Sequence, residues 1–284
     1  MISYRPFNNK KILSDIVSAD NSGVRKLYFT DEDFFGKKHK DIEYIADEIH
    51  NLKEKKIISN NLSFFISTKS CDITKHNKNN LLKKLVSAGF NDIFVGIESG
   101  SPSQLNRYGK KSTIEINIES INILKNLNVN IDVGFIFFDP LVTIKELKEN
   151  LYFIKKHLRG ITSARIIKKL LLDTGSKYYH MHKKNILLRE KKYIEKISNF
   201  TPYYFSEKDI QYIYNKYIDF EKMHFANSNY IQEIYRKNNN YSLKKLIHIR
   251  NLDTKAIDAI INNYKEKPFI TDHILENLTK KKKI

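Results

Sequence analysis

The feature of this chain that most constrains its fold is an alternation of strand-like and helix-like segments from residue 8 to about residue 185. Short apolar, β-branched or aromatic runs alternate with longer amphipathic stretches, an order typical of βα units around a parallel sheet. The predicted strands are Val24–Thr30, Leu62–Ser67, Asp92–Ile97, Ile131–Phe138 and Ala164–Leu172. The predicted helices are Lys10–Ala19, Asp41–Leu52, Lys78–Ala88, Thr113–Leu127 and Ile144–His157.

The phase of this alternation is unusual, because the first predicted element is a helix. A barrel of βα units begins with a strand, so the first helix has no preceding partner. Local sequence signals support two of the predicted helix boundaries. Thr143 is the predicted N-cap of the last helix, and Gly89 is placed as the C-terminal glycine of the third helix. The pattern predicts an α/β fold that lacks its first strand.

The character of the chain changes past about residue 186. Glycine does not occur after Gly175, and helix-like runs take over. These runs are Ser206–Phe225, Tyr230–Tyr235, Leu243–Ile249 and Thr254–Tyr264. We therefore predict a βα domain over residues 1–190 and a helical C-terminal extension over residues 191–284, which ends in a basic tail.

Composition limits the partners and the location of the protein. The formal charge is +18, but lysines are scattered along the whole length, which favours weak, salt-sensitive contact with nucleic acid over specific binding. The run Lys280–Lys283 is interpreted as a solvated tail. No apolar run approaches the roughly 20 residues of a membrane helix, and no signal peptide is visible, so we expect a cytoplasmic protein without a membrane partner.

Acidic residues follow three of the five predicted strands. In parallel βα folds ligands bind at the carboxyl ends of strands, because side chains and loop amides converge there. The alternative is that each carboxylate caps the next helix, where the helix dipole stabilises it. The three strand ends are Thr30-Asp31-Glu32-Asp33, Glu98-Ser99 and Asp139.

Several of these segments resemble the core of the radical S-adenosylmethionine (radical SAM) enzymes over roughly residues 4 to 190. They are Gly96-Ile97-Glu98, the strand from Gly134 to Pro140, and the turn Asp173-Thr174-Gly175-Ser176. The resemblance implies a partial (βα) barrel that lacks its first strand and cluster loop. Acids at residues 31–33, where relatives often have Gly-Gly-Glu, and the Phe138-Asp139-Pro140 form resemble the cobalamin-binding branch, so cobalamin is implied as a possible cofactor of the intact protein.

The resemblance also implies which residues contact S-adenosylmethionine. Glu98 and Asp132 match polar residues that hydrogen-bond the ribose hydroxyls, and Lys110 matches a basic residue that pairs with the methionyl carboxylate. The remaining candidates are Ser99 beside Glu98, Gly134 on the adenine-contacting strand, and Asp31, Glu32 and Asp33 at the turn that receives the methionyl ammonium.

The cysteine content conflicts with this resemblance. The family holds a [4Fe–4S] cluster with three thiolates spaced Cys-x-x-x-Cys-x-x-Cys, whereas this chain has Cys71 alone. We therefore expect the chain to be the C-terminal portion of a radical SAM enzyme, inactive by itself, with its cluster segment in upstream sequence. One alternative is a degenerate, cluster-free member that binds a ligand or a protein. A second alternative is a basic nucleic-acid-binding module.

Overall fold

A computed structural model of the chain describes residues 7–36, 39–78, 80–159, 161, 166–191, 200–224, 241–265 and 268–280. The predicted helix Tyr230–Tyr235, most of the C-terminal lysine run and the start of the predicted strand Ala164–Leu172 lie outside these residues.

Helices and strands alternate through the first part of the chain, which confirms the predicted α/β class. Most boundaries agree with the hydrophobic periodicity to within about four residues. The elements are α1 (Asn9–Asn21), β1 (Lys26–Tyr28), α2 (His39–Glu54), β2 (Ser63–Lys69), α3 (Ser70–Asn77), α4 (Leu81–Ala88), β3 (Asp92–Glu98), α5 (Pro102–Arg107), α6 (Ile114–Asn126), β4 (Asn130–Phe135) and α7 (Ile144–His157).

The strands form a four-stranded sheet in the order β1-β2-β3-β4, and β2 pairs in parallel with both β1 and β3. Burial alternates along β2, where Phe64 and Ile66 are buried but Phe65 and Ser67 are half-buried. The same alternation holds along β3 and β4. One face of the sheet is therefore core, and the other, here called the half-exposed face, is open to polar side chains.

The amino ends of three strands are tied together by a polar cluster. Lys26 at the start of β1 forms a 2.8 Å salt bridge with Asp92 at the start of β3, and both side chains are largely buried. Asn130 at the start of β4 donates a 3.2 Å hydrogen bond to the same Asp92 oxygen. Charge at the amino ends is thus paired within the fold, whereas ligands of parallel βα folds bind at the carboxyl ends.

Over its described residues 166–172, the fifth predicted strand forms an isolated parallel bridge between Phe138 and Lys169. The amides of Phe137 and Phe138 both donate to the carbonyl of Lys168, at 2.9 and 3.0 Å, and Leu170 N donates to Phe138 O at 2.7 Å. The backbone groups of this segment are therefore satisfied by sheet-like pairing even though it is not a regular strand.

The region between β2 and β3 differs from the prediction of one helix over Lys78–Ala88. A short helix, α3, follows β2 directly, and α4 begins only at Leu81. Asn80 is the reason for the late start, because its left-handed backbone (φ 60°) cannot continue a right-handed helix. The end of α4 agrees with the prediction, since Gly89 is left-handed and its amide caps the helix.

The C-terminal part of the chain is mainly helical, with two additions to the predicted runs. Its elements are α8 (Lys177–His182), β5 (Leu187–Leu188), β6 (Tyr203–Tyr204), α9 (Lys208–His224), α10 (Tyr241–Asn263) and α11 (Pro268–Lys280). The additions are helix α11 and the short antiparallel pair of β5 and β6. Helix α10 joins into one element the two runs predicted separately at Leu243–Ile249 and Thr254–Tyr264.

The chain packs as two compact units. The first comprises Met1–Gly96 and Glu115–Val133, and the second comprises Ile97–Ile114 and Gly134–Ile284. The predicted boundary at residue 190 stays a prediction. Among the helices that the structure describes, none combines the length and the apolar character needed to cross a membrane.

Candidate functional site

The carboxyl end of β3 turns sharply at Glu98. The amide of Ser99 donates to the carbonyl of Ile97 at 2.8 Å, which closes a three-residue turn around Glu98. Glu98 has a φ of 65°, the rare and strained form of such a turn for a residue with a side chain. Strain of this kind persists only where the surroundings enforce it, and it clusters at ligand sites.

The surroundings of this turn are supplied by α7. Asn150, fully buried, accepts hydrogen bonds through Oδ1 from the amide of Gly100 at 2.7 Å and from the Ser99 hydroxyl at 2.8 Å. Gly100 packs so closely on Phe153 that an added Cβ would lie 2.2 Å from the Cβ of Phe153. On the other side, the amide of Ile136 donates to the carbonyl of Glu98 at 2.7 Å. The turn is held by both backbone and side chains.

The Glu98 side chain lies next to Lys110, which is also a predicted ligand contact. Lys110 Nζ donates to Glu98 Oε1 at 2.8 Å, and the two side chains are 43% and 22% exposed. In the part of the chain that the structure describes, Glu98 Oε2 has no hydrogen-bond partner. The pair thus retains one carboxylate oxygen that can accept and ammonium hydrogens that can donate.

Asp139, the third acidic strand end, has a structural role. It is fully buried and accepts hydrogen bonds from Gln104 at 2.7 Å, Arg107 at 2.9 Å, Tyr108 at 3.0 Å and Tyr178 at 2.9 Å. Its oxygens are satisfied within the fold and do not face a ligand. Burial together with the charge of Asp139 raises the pKa of both tyrosines, which therefore remain hydrogen-bond donors.

Arg107 links Asp139 to helix α7. It donates to both oxygens of Glu146, at 2.9 and 2.8 Å. Burial alone disfavours the charged forms, yet the hydrogen bonds and charges of the partners raise the pKa of Arg107 and lower that of Glu146. Glu146 also completes a capping box with Thr143, the predicted N-cap of α7. This network fixes the helix that holds the Glu98 turn.

The acidic segment after β1 is anchored to β2 by its flanking backbone. The amide of Phe29 donates to the carbonyl of Phe65, and the amide of Phe34 donates to the carbonyl of Ser67. Asp33 Oδ2 accepts a 2.5 Å hydrogen bond from Lys69, while Asp33 Oδ1 is buried without a partner among the described residues. A buried acceptor of this kind is costly unless a donor reaches it, which fits a cationic ligand group.

The other members of this acidic segment are less enclosed. Asp31 is half-buried and Glu32 is exposed. Both lie in the first unit with Asp33.

The remaining predicted residues are divided between the two units. Asp132, in the first unit, and Gly134, in the second, are both half-buried positions on the half-exposed face of β4. Within the second unit the fold brings Glu98 and Lys110 together, with Ser99 buried behind them.

Sequence reasoning missed the left-handed Glu98 and the partners Asn150 and Arg107. The pattern Ser99-Gly100-Ser101-Pro102 signals a turn, but no residue type there indicates that a glutamate adopts the strained position.

Cys71 does not supply a metal centre. It is the single cysteine of the chain, it lies half-buried in α3, and burial raises the pKa of its thiol. The described ranges contain no group of three or more His, Cys, Asp or Glu side chains that could hold a metal ion. The donors present therefore do not fit a [4Fe–4S] cluster, which needs three protein thiolates when the fourth iron binds the cofactor.

The second unit also contains a cavity that the sequence did not indicate. Its volume is about 640 Å³, and its lining includes Lys169 and the segment Phe200–Tyr204. The Lys169 ammonium lies over the rings of Tyr203, Tyr214 and Phe205, with centroid distances of 4.0, 4.9 and 5.1 Å. The cavity is of a size that holds small molecules. The predicted residues do not line it.

Comparisons with known proteins agree with the fold. The family described as the Radical SAM superfamily matches residues 4–154. The 4'-phospho-dehydrooxetanocin synthase of Priestia megaterium is 33% identical over 219 residues, which cover 71% of this chain and 28% of that protein. The chain thus spans little more than a quarter of the length of this curated relative.

Solved structures of the cobalamin-dependent radical enzyme OxsB share the fold. The form with aqua-cobalamin bound has a TM-score of 0.72 at 21% identity, over 98% of this chain and 46% of the other. The form with aqua-cobalamin and S-adenosylmethionine bound has a TM-score of 0.69 at 22% identity, with the same coverage. This chain spans about half the length of those proteins.

Proposed function

Since the chain belongs to the radical SAM superfamily, we propose that it is the S-adenosylmethionine-binding core of a radical enzyme whose cluster thiolates are supplied by polypeptide outside this chain. The observation that carries the proposal is the strained Glu98 turn with its ion pair to Lys110, at the strand end where the family binds its cofactor. When bound, S-adenosylmethionine supplies a sulfonium whose cleavage initiates the chemistry of the family.

The donors and acceptors of the second unit suit this ligand. Glu98 Oε2 is available to accept a hydrogen bond from a ribose hydroxyl, and charged acceptors bind hydroxyls strongly. Lys110 uses one N–H on Glu98 and can donate another to the methionyl carboxylate. The role of this chain is therefore to bind and orient the cofactor.

The acidic segment of the first unit suits a cation. The buried Oδ1 of Asp33 can accept a hydrogen bond from the methionyl ammonium, the group that the family places against this turn. Asp31 and Glu32 add negative charge beside it. The ribose contact of Asp132 and the adenine contact at Gly134 stay predictions.

For the whole protein we propose cobalamin dependence and a cytoplasmic location. Cobalamin dependence is supported by the fold shared with OxsB and by the acids at residues 31–33. The cavity beside Lys169 offers space for a substrate within the second unit.

The cluster part of this proposal is tested by anaerobic reconstitution with iron and sulfide. We expect the chain alone to retain iron at the level of the Cys71→Ala control and to release no 5′-deoxyadenosine from S-adenosylmethionine with dithionite. Translating all forward frames of the adjoining upstream DNA should reveal a Cys-x-x-x-Cys-x-x-Cys segment. The chain joined to that segment should retain iron above the control level and release 5′-deoxyadenosine. Stoichiometric cluster in the chain alone would contradict the proposal.

A cluster-free, ligand-binding family member is the second candidate, and the single cysteine is the observation that favours it. This second candidate differs from the first candidate in what translation of the adjoining DNA should reveal. If the chain binds S-adenosylmethionine but no adjoining frame encodes the cysteine motif, the cluster-free function replaces the radical enzyme as our conclusion.

A further inference from the structure

Helix α10 buries a positive charge that the proposed cofactor site does not use. Arg250 is only 6% exposed, and its Nη1 donates a 2.6 Å hydrogen bond to the carbonyl of Ile161. In the described ranges no carboxylate pairs with it, and burial lowers its pKa with no acidic group offsetting this effect. A buried guanidinium without a counter-ion is expensive, which points to a missing anion.

Arg250 lines a cleft of about 290 Å³ formed with the C-terminal end of α7. Three other basic residues, Lys155, Arg159 and Lys255, line the same cleft, and no acidic residue does. Lys155 forms a 2.6 Å salt bridge with Asp258 and is neutralised. Among the described residues, Arg159, Arg250 and Lys255 form no ion pair, so three positive charges face the cleft without balance.

The carbonyl end of α7 compensates only part of this charge. Arg159 Nε donates to the carbonyl of Lys155 at 3.2 Å, and Arg250 bonds Ile161 just beyond the helix. A helix C-terminus carries roughly half a negative charge. This partial negative charge is much smaller than the three positive charges of Arg159, Arg250 and Lys255.

We propose that this cleft binds a small phosphate-class dianion, either free phosphate or the phosphoryl group of a small metabolite. Arginine offers the planar donor fork that matches phosphate oxygens, and Lys255 adds a mobile point charge. Asn251 and Thr254 place an amide and a hydroxyl at the same cleft. The volume lies at the lower end for small-molecule sites, so one phosphoryl group with a short organic group fits. The site involves none of the residues assigned to S-adenosylmethionine.

The test is calorimetry of the full chain at low ionic strength, with inorganic phosphate and glycerol 3-phosphate as separate probes. We expect saturable binding with one site per chain and a melting temperature that rises with probe concentration. Arg159→Gln and Lys255→Gln should each weaken binding about tenfold, because each removes a charge-assisted hydrogen bond. Both residues lie at the exposed rim, so folding should persist.

Lys156→Gln is the matched control, since it removes the same charge from the last turn of α7 without touching the cleft. Equal binding of the two probes would show that the site recognises the phosphoryl group alone, and tighter binding of glycerol 3-phosphate would favour a metabolite. Absence of binding by both probes would overturn the proposal. Equal weakening by Lys156→Gln and the cleft variants would overturn it too, because general surface charge would then explain the binding.

Discussion

At the scale of single residues, two positions on either side of Ser99 define the candidate site. Glu98 is held in a left-handed conformation that costs a residue with a side chain about 1–2 kcal/mol. Gly100 occupies a position at which even one methyl group would collide with Phe153. The strain and the close packing together fix where the Glu98 carboxylate points.

Replacing Glu98 by glycine should separate stability from ligand binding. Glycine adopts positive φ without strain, and the lost pair with Lys110 is partly exposed and worth at most about 1 kcal/mol. Glu98→Gly should therefore leave the free energy of unfolding unchanged or raise it by about 1 kcal/mol in urea titrations, while S-adenosylmethionine binding is lost. Glu119→Gly, an exposed position inside α6, should instead lower stability by about 1 kcal/mol. Loss of stability in both variants would argue against strain at Glu98.

Adding a methyl group at Gly100 should destabilise the second unit. Because the new Cβ would lie 2.2 Å from Phe153 Cβ, Gly100→Ala should cost about 2–3 kcal/mol, the usual effect of overpacking. Gly175→Ala is the control, since the three atoms nearest to the added Cβ there all belong to the exposed Asp173 side chain. Equal denaturation midpoints for the two variants would contradict the packing described here.

At the scale of elements, helix α7 organises the site. Its amino end carries the capping box, its middle supplies Asn150 and Phe153 to the Glu98 turn, and Glu146 connects it through Arg107 to Asp139. One amphipathic helix thus combines a cap, a core face and a buried polar network.

Removing one charge from this network should lower the free energy of unfolding substantially. Asp139→Asn leaves Arg107 with less compensation in a buried site and disturbs hydrogen bonds from two tyrosines. We expect a loss of about 3–5 kcal/mol in the free energy of unfolding. Asp219→Asn on the exposed side of α9 should stay within about 0.5 kcal/mol of the original protein. If Asp139→Asn changed the free energy of unfolding by a similarly small amount, the buried network would contribute little to stability.

Sequence periodicity was sufficient for strands β1 to β4 and for helices α1, α2, α6 and α7, because amphipathic spacing reports the buried face directly. The helix at Ile144–His157 and its cap Thr143 agree with the prediction. The pattern failed where one residue decides the backbone, as Asn80 does at the start of α4 and Glu98 does after β3. It also could not tell the buried acid Asp139 from the partly open Glu98, because both follow strands and differ only in the partners that distant helices supply.

At the scale of the whole molecule, the charge of +18 and the paired acids make stability depend on pH. Glu146 has a pKa below its ordinary value of 4.5 because Arg107, Ser103 and Thr143 favour its charged form more than burial opposes it. The unfolded chain therefore binds this proton more readily. The stabilisation is complete above about pH 4.5 and is lost as the pH falls through the lower folded pKa.

This dependence can be measured by urea titrations between about pH 3 and pH 7. The free energy of unfolding should decline below pH 4.5, and Glu146→Gln should have lower stability at neutral pH but a shallower decline in acid. Glu43→Gln, at an exposed carboxylate of α2, should retain the original slope. If the free energy of unfolding of Glu146→Gln declined in acid as steeply as that of the original protein, the pH dependence would have to come from other carboxylates.

If the Glu98 strand end is the cofactor site, this chain alone should bind S-adenosylmethionine. Isothermal calorimetry of the full chain should give saturable binding with one site per molecule, weakened at least tenfold in Glu98→Ala and in Lys110→Ala. Lys111→Ala, the neighbouring lysine, should bind as the original protein does. No binding by a folded chain, or binding that is indifferent to Glu98, would contradict the assignment of this strand end as the cofactor site.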